Sequence, residues 1–380
     1  MGVSDSYARG RRLVIEQPGL LVVGLITQEL ALFYVAVVRG ELRVGETAPI
    51  EFTRRLLWVT VAVTLLHSGW GVDGILVGHI CGRAVEFLWA YHRSETPIGR
   101  PSLDRIRSLV AFSKYQSVMA LGGRAYQWMD VLIIGFFLSG RFVSAYEVAW
   151  QVTLLVLLLS KSIERSLFPQ ISQWDADAAR ARIESTVSRA LGSVLFVSIP
   201  ALVGAVLYAE VVLSTFFGPE CVIASAVLVI LMAEKLCQSY NDIVGMSIRA
   251  LDRPDLTARA TALSVGLNLL LSPLLVVTIG FEGAAIATTV SWLVHAVLQT
   301  RYMARFVSFS YPVRLVCWYG VASVGMAGVL VVLRSVVPAD GIVTLLFQVT
   351  VGICVYLLFS AAIPAVREQV LWPGLAVVRG

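Results

Sequence analysis

Apolar residues run in stretches of about twenty from residue 18 to residue 364, broken by short polar segments marked with glycine or proline. Runs of that length are what a transmembrane helix needs, since ~20 residues rising ~1.5 Å each cross the ~30 Å hydrocarbon core. The pattern predicts eleven helices, over 18–38, 54–70, 72–92, 106–138, 142–170, 183–216, 220–250, 255–279, 281–306, 312–336 and 340–364. Turn signals separate many of them: SGW near 69, SGR near 140, GPE near 219, GFEG near 281 and PADG near 339. The stretch 106–138 is long for one perpendicular span and short for two, so it reads as one helix with a kink at Gly122-Gly123.

Polar residues interrupt the apolar runs on particular helix faces. The segment GGRAYQWMDVLIIGFFL, residues 122–138, carries Arg124 and Asp130. Six residues apart, they lie about 240° apart around a helix and cannot pair with each other. A charge at mid-bilayer costs about 2.5–3.5 kcal/mol, so each needs a partner on another helix or a wet cavity. We assign Arg124 to a cavity and Asp130 to an ion pair within its own lobe. In 220–250, Lys235, Ser239, Asp242, Met246 and Arg249 form one stripe, flanked by Glu234 and Asn241. It reads either as a cavity wall or as a buried Lys235–Asp242 pair. In 72–92, His79, Arg83 and Glu86 share a face, with a local Arg83–Glu86 pair as the simplest reading. Thr261, Ser264, Asn268 and Ser272 suit helix–helix packing in lipid. In 281–306, Thr288, Ser291, His295, Gln299 and Tyr302 line up, with His295 read first as a packing residue. Lys161, Glu164 and Arg165 lie where long side chains can snorkel to the interface. Together these faces could enclose a hydrated cleft between lobes, and its candidate substrate-binding residues are Arg124, Asp130, Arg83, Lys235, Asp242, Asn241 and His295.

Composition agrees with a membrane protein: 57% hydrophobic, 14% charged, mean hydropathy +0.79, against about 45–50% and about 25% in soluble domains. The net charge of +5 is spread along the chain, which excludes a nucleic-acid patch. Five separated cysteines and no CxxC pair imply no disulfide framework, metal or cofactor. The first nineteen residues lack the pattern of a signal peptide. Nineteen arginines fall in one set of alternate loops and in the tail, Arg54, Arg55, Arg100 and Arg379 among them, against four on the other side, Arg9, Arg11, Arg12 and Arg141. The rich side is expected to be cytoplasmic, with the C-terminus inside and the N-terminus outside. On that basis cysteines at Ser185 and Ser308 would face inward and one at Ala339 outward.

Two stretches repeat. FYVAVVRGELRV, followed by SGWGVDGILVGHICG, parallels IVGMSIRALDRP, followed by TIGFEGAAIATTVSW. Arg39 and Arg249 are 210 residues apart, and the turns Gly71-Val72-Asp73-Gly74 and Gly280-Phe281-Glu282-Gly283 are 209 apart. The block 18–92 thus matches 220–306 in the same orientation, as parallel repeats do. Three helices precede the second copy without counterpart before the first, so the N-terminal lobe is expected to lack about a hundred residues.

The stretches FSKYQ, MDVLIIGFFLSGRFVSAYEVAW, SLFPQISQW, FFGPE and LNLLLSPLLVVTIGFEGAAIATTVSW, between about 105 and 306, resemble the polysaccharide transporters. These are O-antigen-type flippases for lipid-linked oligosaccharides, in the superfamily that includes the multidrug and toxin extrusion antiporters. The pieces that match are Asp130, Ile134-Gly135 and Tyr146-Glu147-Val148-Ala149. The resemblance implies an all-α, polytopic membrane helical bundle of about eleven transmembrane helices in two pseudo-repeated lobes. The expected divisions are a partial N-terminal lobe 1–92, a cytoplasmic linker 93–105, a six-helix lobe 106–306, and two further helices with a cytoplasmic tail, 307–380. It implies transport by alternating access across the cell membrane, with the bilayer, a lipid-linked sugar, and glycosyltransferases or a polymerase of the same pathway as partners. A cation-coupled drug antiporter using Asp130, Asp242 and Glu234, or a non-transporting truncated copy, are the alternatives. A membrane glycosyltransferase is rejected, because the DAD at 175–177 sits in a link-like segment, QWDADAARARIE, and loops are short.

Overall fold

The computed structural model describes residues 18–41, 43–97, 99, 102–307, 312–338 and 341–367. Ser308, Ala339, Arg9, Arg11, Arg12, Arg100 and Arg379 lie outside the described residues. Among those described, the regular structure is entirely helical. Charge and apolarity are inverted relative to a soluble protein: Phe136 and Val343 are 82% and 81% exposed, while Glu234, Lys235 and Asn268 are 0% exposed. That is the distribution expected of helices that face lipid outward and satisfy polar groups inward. Among the described residues, six of the helices are long and apolar enough to cross a membrane by length and composition.

The chain divides into two compact units, Met1–Leu103 and Asp104–Gly380. In the first, α1 (Pro18–Gly40), α2 (Val44–His67) and α3 (Gly71–Arg93) form a block. Helix α3 packs against both others, while α1 and α2 meet only slightly. Glycines at every fourth position make this contact close. A β-carbon at Gly78 would stand 2.8 Å from Ala62 N, and one at Gly82 would stand 2.9 Å from the Arg54 carbonyl. Small residues at this spacing let backbones approach in lipid. Helix α2 starts ten residues before the predicted position 54, so Arg54 and Arg55 are interior helix residues, not loop residues.

In the second unit, α4 (Leu103–Phe137) begins at the boundary between units and runs unbroken through Gly122-Gly123. The expected kink is replaced by a close approach, since a β-carbon at Gly122 would collide with the Thr261 methyl. The predicted helix 142–170 is two: α5 (Gly140–Thr153) and α6 (Leu157–Ala176), joined by a 3-10 turn at Leu154–Val156. The chain continues with α7 (Arg180–Phe217), a 3-10 segment Pro219–Ala224, α8 (Ser225–Ala250), α9 (Pro254–Ile279) and α10 (Glu282–Met303). The predicted link around 175–177 shrinks to a short turn between α6 and α7. Last come α11 (Val313–Val336), α12 (Ile342–Ala362) and the single turn α13 (Pro364–Val366). Tyr208 on α7 donates to Gln348 Oε1 at 2.7 Å and Tyr356 donates to the Phe196 carbonyl at 2.8 Å, docking the α11–α12 pair on α7. Counting α5–α6 as one span, the long helices number eleven among the described residues.

The block α8–α10 repeats the packing of α1–α3: α10 lies against both α8 and α9, which barely meet. The two matching turns share their mechanics. Gly71 and Gly280 have positive φ, +57° and +96°. Asp73 and Glu282 stand in the first turn of the following helix, where a negative charge suits the macrodipole. Gly74 and Gly283 sit where a β-carbon would collide with Leu65 and with the Leu275 backbone.

Candidate functional site

Asp130 is the hub of the second unit. It is buried on α4 and accepts hydrogen bonds from Tyr146 on α5 (2.6 Å), Thr288 on α10 (2.7 Å) and Ser272 on α9 (3.3 Å). Asn268 donates to the Thr288 hydroxyl at 2.8 Å. The expected ion pair is not what holds Asp130; three hydroxyls from three other helices do so. Asn268 and Ser272 lie one turn apart on α9, and the close approach at Gly283 brings Thr288 beside them. One carboxylate surrounded by hydroxyl and amide groups is an oxygen-rich set that can hold a proton or a small hard cation.

Lys235 on α8 is fully buried. Its Nζ stands 2.6 Å from Glu234 Oε2, donates to Gln238 Oε1 at 3.0 Å, and lies 3.6 Å from the centroid of the Trp150 ring. The ion pair lacks hydrogen-bond alignment, and neither Glu234 oxygen has a hydrogen-bond partner among the described residues. The expected Lys235–Asp242 pair does not form: seven residues separate them by about 10 Å along the helix, and each has nearer partners. Asp242 accepts from Lys161 (2.7 Å) and Ser160 (2.8 Å) on α6. Lys161 also reaches Glu164 at 3.1 Å, and Glu164 pairs with Arg249 at 2.5 Å. Lys161 and Glu164, expected to snorkel, instead face α8 and complete a charge ladder of two cations and two anions.

Asn241 Nδ2 donates to the Trp292 carbonyl at 3.1 Å, while its Oδ1 is buried without a hydrogen-bond partner among the described residues. His295 is buried, accepts from Gln299 Nε2 at 3.0 Å, and packs on Trp292, which stacks on Tyr126. Arg124 is exposed on α4 and forms no ion pair among the described residues.

Arg83 belongs to the first unit. It donates to Glu86 at 2.7 Å, the local pair the sequence suggests, and Arg54 Nε lies 3.3 Å from the other Glu86 oxygen. His79 is 3.3 Å from Gln28 Oε1 on α1, and its ring meets the Trp58 ring edge-on. Sequence reasoning missed Arg54 by placing it in a loop. Its signal was Trp58 one turn on, opposite the small-residue face of α3.

An all-helical, polytopic bundle with a polar interior and lipid-type surface defines a multi-pass membrane protein of the transporter kind. Residues 15–223 match the profile of the family described as polysaccharide biosynthesis protein, and the chain belongs to that family. It is 38% identical over 348 residues to the probable low-salt glycan biosynthesis flippase Agl15 of Haloferax volcanii, spanning 92% of this chain and 74% of that one. It is 30% identical over 321 residues to the probable flippase AglR of the same organism, spanning 84% and 67%. In fold it is similar to the lipid II flippase MurJ in its inward closed conformation, with a TM-score of 0.74 at 16% identity over 90% of this chain and 73% of that one.

Proposed function

We propose that this protein is a flippase that moves a lipid-linked oligosaccharide or polysaccharide precursor across the cytoplasmic membrane by alternating access. The observation that carries the reading is the 38% identity to a glycan biosynthesis flippase along 92% of the chain. Helices with apolar outer faces and polar inner ones give the reading a physical basis, since a sugar head needs hydrogen-bonding groups and its lipid tail needs none. No bond is made or broken, so the work is carriage and not catalysis. Among the cations, Lys235 is already matched by Glu234 and sealed from solvent. Arg124 is exposed and without an ion pair among the described residues, which favours it as a contact for the anionic phosphate. The arginine bias supports a cytoplasmic C-terminus.

The test is reconstitution of the purified chain in proteoliposomes containing a polyprenyl-phosphate-linked fluorescent sugar, with translocation read by a membrane-impermeant quencher. Translocation faster than in protein-free vesicles is expected, and equal rates would overturn the reading. In whole cells, a Ser185→Cys variant should resist an impermeant thiol reagent added outside; labelling would reverse the orientation.

A further inference from the structure

The second unit holds two opposite charges that line one cavity and do not meet. Arg334 stands in the last turn of α11 and Glu210 stands on α7, and both are exposed. The cavity measures about 350 Å³, and Ser225, the first residue of α8, adds a hydroxyl to its wall. Among the described residues neither charge has an ion-pair partner, and Glu210 makes no hydrogen bond. The guanidinium is held elsewhere. It donates to the Leu207 carbonyl at 2.8 Å and lies over the Tyr208 ring, 5.8 Å from its centroid. Leu207 is one turn before Glu210 on the same face of α7. Tyr208 is fixed in turn: its hydroxyl donates to Gln348 Oε1 on α12, and Gln348 Nε2 donates to the Val337 carbonyl at 2.6 Å, just past the end of α11. Tyr208 and Gln348 are both buried. A packed network therefore holds the cation back from the anion and leaves a cavity that both face.

We propose that this cleft between α7, α8 and α11 binds the headgroup of a zwitterionic membrane phospholipid, with its phosphate on Arg334 and its ammonium on Glu210. An anion alone would satisfy Arg334 and be opposed by Glu210, and a cation alone would do the reverse. A zwitterion satisfies both and adds no net charge, which matters where an unpartnered charge is costly. Position selects a lipid over a soluble zwitterion. Arg334 ends one helix and Ser225 begins another, the level at which long cationic side chains reach the headgroups. Arg334 also lines a second cavity of about 240 Å³ whose walls include Leu207, Leu330 and Val331, an apolar surface suited to part of a lipid chain. The bound lipid ties the α11–α12 pair to α7 and α8, and the inference is independent of the flippase reading.

The full chain, purified in detergent, is titrated calorimetrically with three probes. These are dioctanoyl phosphatidylethanolamine, dioctanoyl phosphatidylglycerol, which has the phosphate without the ammonium, and glycerophosphoethanolamine, which has the headgroup without the chains. The native chain should bind the ethanolamine lipid at least about 10-fold more tightly than the glycerol lipid, the worth of one charge-assisted contact. It should bind the chainless headgroup only weakly. Glu210→Gln should erase the preference and leave the glycerol lipid bound no more weakly than before. Arg334→Gln should weaken both lipids by a similar factor, about 10- to 150-fold, and Arg334→Lys should recover only part of the loss. Glu210 is exposed and without a hydrogen bond among the described residues, so Glu210→Gln keeps the fold. If Arg334→Gln, which frees the Leu207 carbonyl, fails to accumulate, the Glu210→Gln preference decides alone. Equal binding of the two lipids by the native chain, or a preference that survives Glu210→Gln, would overturn the site. Glycerophosphoethanolamine binding as tightly as the lipid would overturn its assignment to a membrane phospholipid.

Discussion

The blocks α1–α3 and α8–α10 have the same internal packing and treat charge in opposite ways. Each has a central third helix, a positive-φ glycine where that helix begins and a close-packed glycine in its first turn. The matching arginines differ in surroundings. Arg39 pairs with Glu51 where both are substantially exposed, whereas Arg249 pairs with Glu164 in a half-buried ladder. Beside α8–α10, the ladder with α6 is neutral, and Asp130 is met by hydroxyls. In α1–α3, two arginines face one glutamate. Shared backbone geometry therefore does not carry shared chemistry: the glycines set how helices meet, and the residues one turn away decide how the charges inside are matched.

The comparison breaks most sharply at Asp130. Asp130→Ala leaves buried hydroxyl donors on three helices without their acceptor, at about 1–3 kcal/mol for each. Folded yield, read by size-exclusion chromatography of a fluorescent fusion, should fall severely. Asp130→Asn, which keeps one acceptor oxygen, should fall less, and equal yields for both would show that the hub does not hold the unit together. The ladder comes next. Glu164→Gln leaves Arg249 without its acid and should lower the melting temperature, by a loss below the ~3–5 kcal/mol of a fully buried broken pair because these groups are partly exposed. Swapping the pair, Glu164→Arg with Arg249→Glu, should restore part of it; no recovery would mean the charges act separately.

Arg124 sharpens the contrast from the other side. Arg124→Ala should leave abundance near normal, since an exposed arginine without an ion pair has little packing to lose, yet slow glycan translocation by about 10- to 150-fold if it contacts phosphate. Arg124→Lys should rescue only partly. Normal translocation by Arg124→Ala would end that role.

The smallest effect is expected at the end of the first block, outside the membrane-spanning segments. Glu41 accepts from the Thr96 hydroxyl (2.6 Å) and from the backbone N–H groups of Thr96 and Glu95, and the Thr96 hydroxyl foremost holds its carboxyl below the usual range. A carboxyl with a lowered folded pKa stabilises above its unfolded pKa, and that contribution is lost as pH falls through the folded value. Acidification below the ordinary carboxylate range should therefore lower the hydrogen-exchange protection factors at residues 94–96, taken against the intrinsic rate at each pH, and Glu41→Gln should abolish that pH dependence of protection. Protection factors that ignore pH in the native chain would dismiss the clasp.

Much of this was legible without coordinates, and the reason is physical. Span length depends only on rise per residue and hydrocarbon thickness, so apolar runs and their glycine-marked breaks locate eleven helices. Face periodicity depends only on the helical repeat, so the Lys235–Arg249 stripe and the Arg83–Glu86 pair could be read directly. The two G-x-acid-G turns carried their local mechanics in four residues each. The start of α2 was not legible, because Glu46 and Glu51 make its first turns look like loop.

Tertiary structure alone decided the partners. Asp130 meets Tyr146, Ser272 and Thr288, residues 16, 142 and 158 positions away, and no spacing rule links them. Asp242 takes Lys161 from another helix instead of Lys235 from its own. Arg54 joins Arg83 only because Gly78 and Gly82 let α2 and α3 come close enough for both guanidiniums to reach Glu86. A helix's polar face is a local property of its sequence; which face it turns to which neighbour depends on where small residues allow backbones to touch.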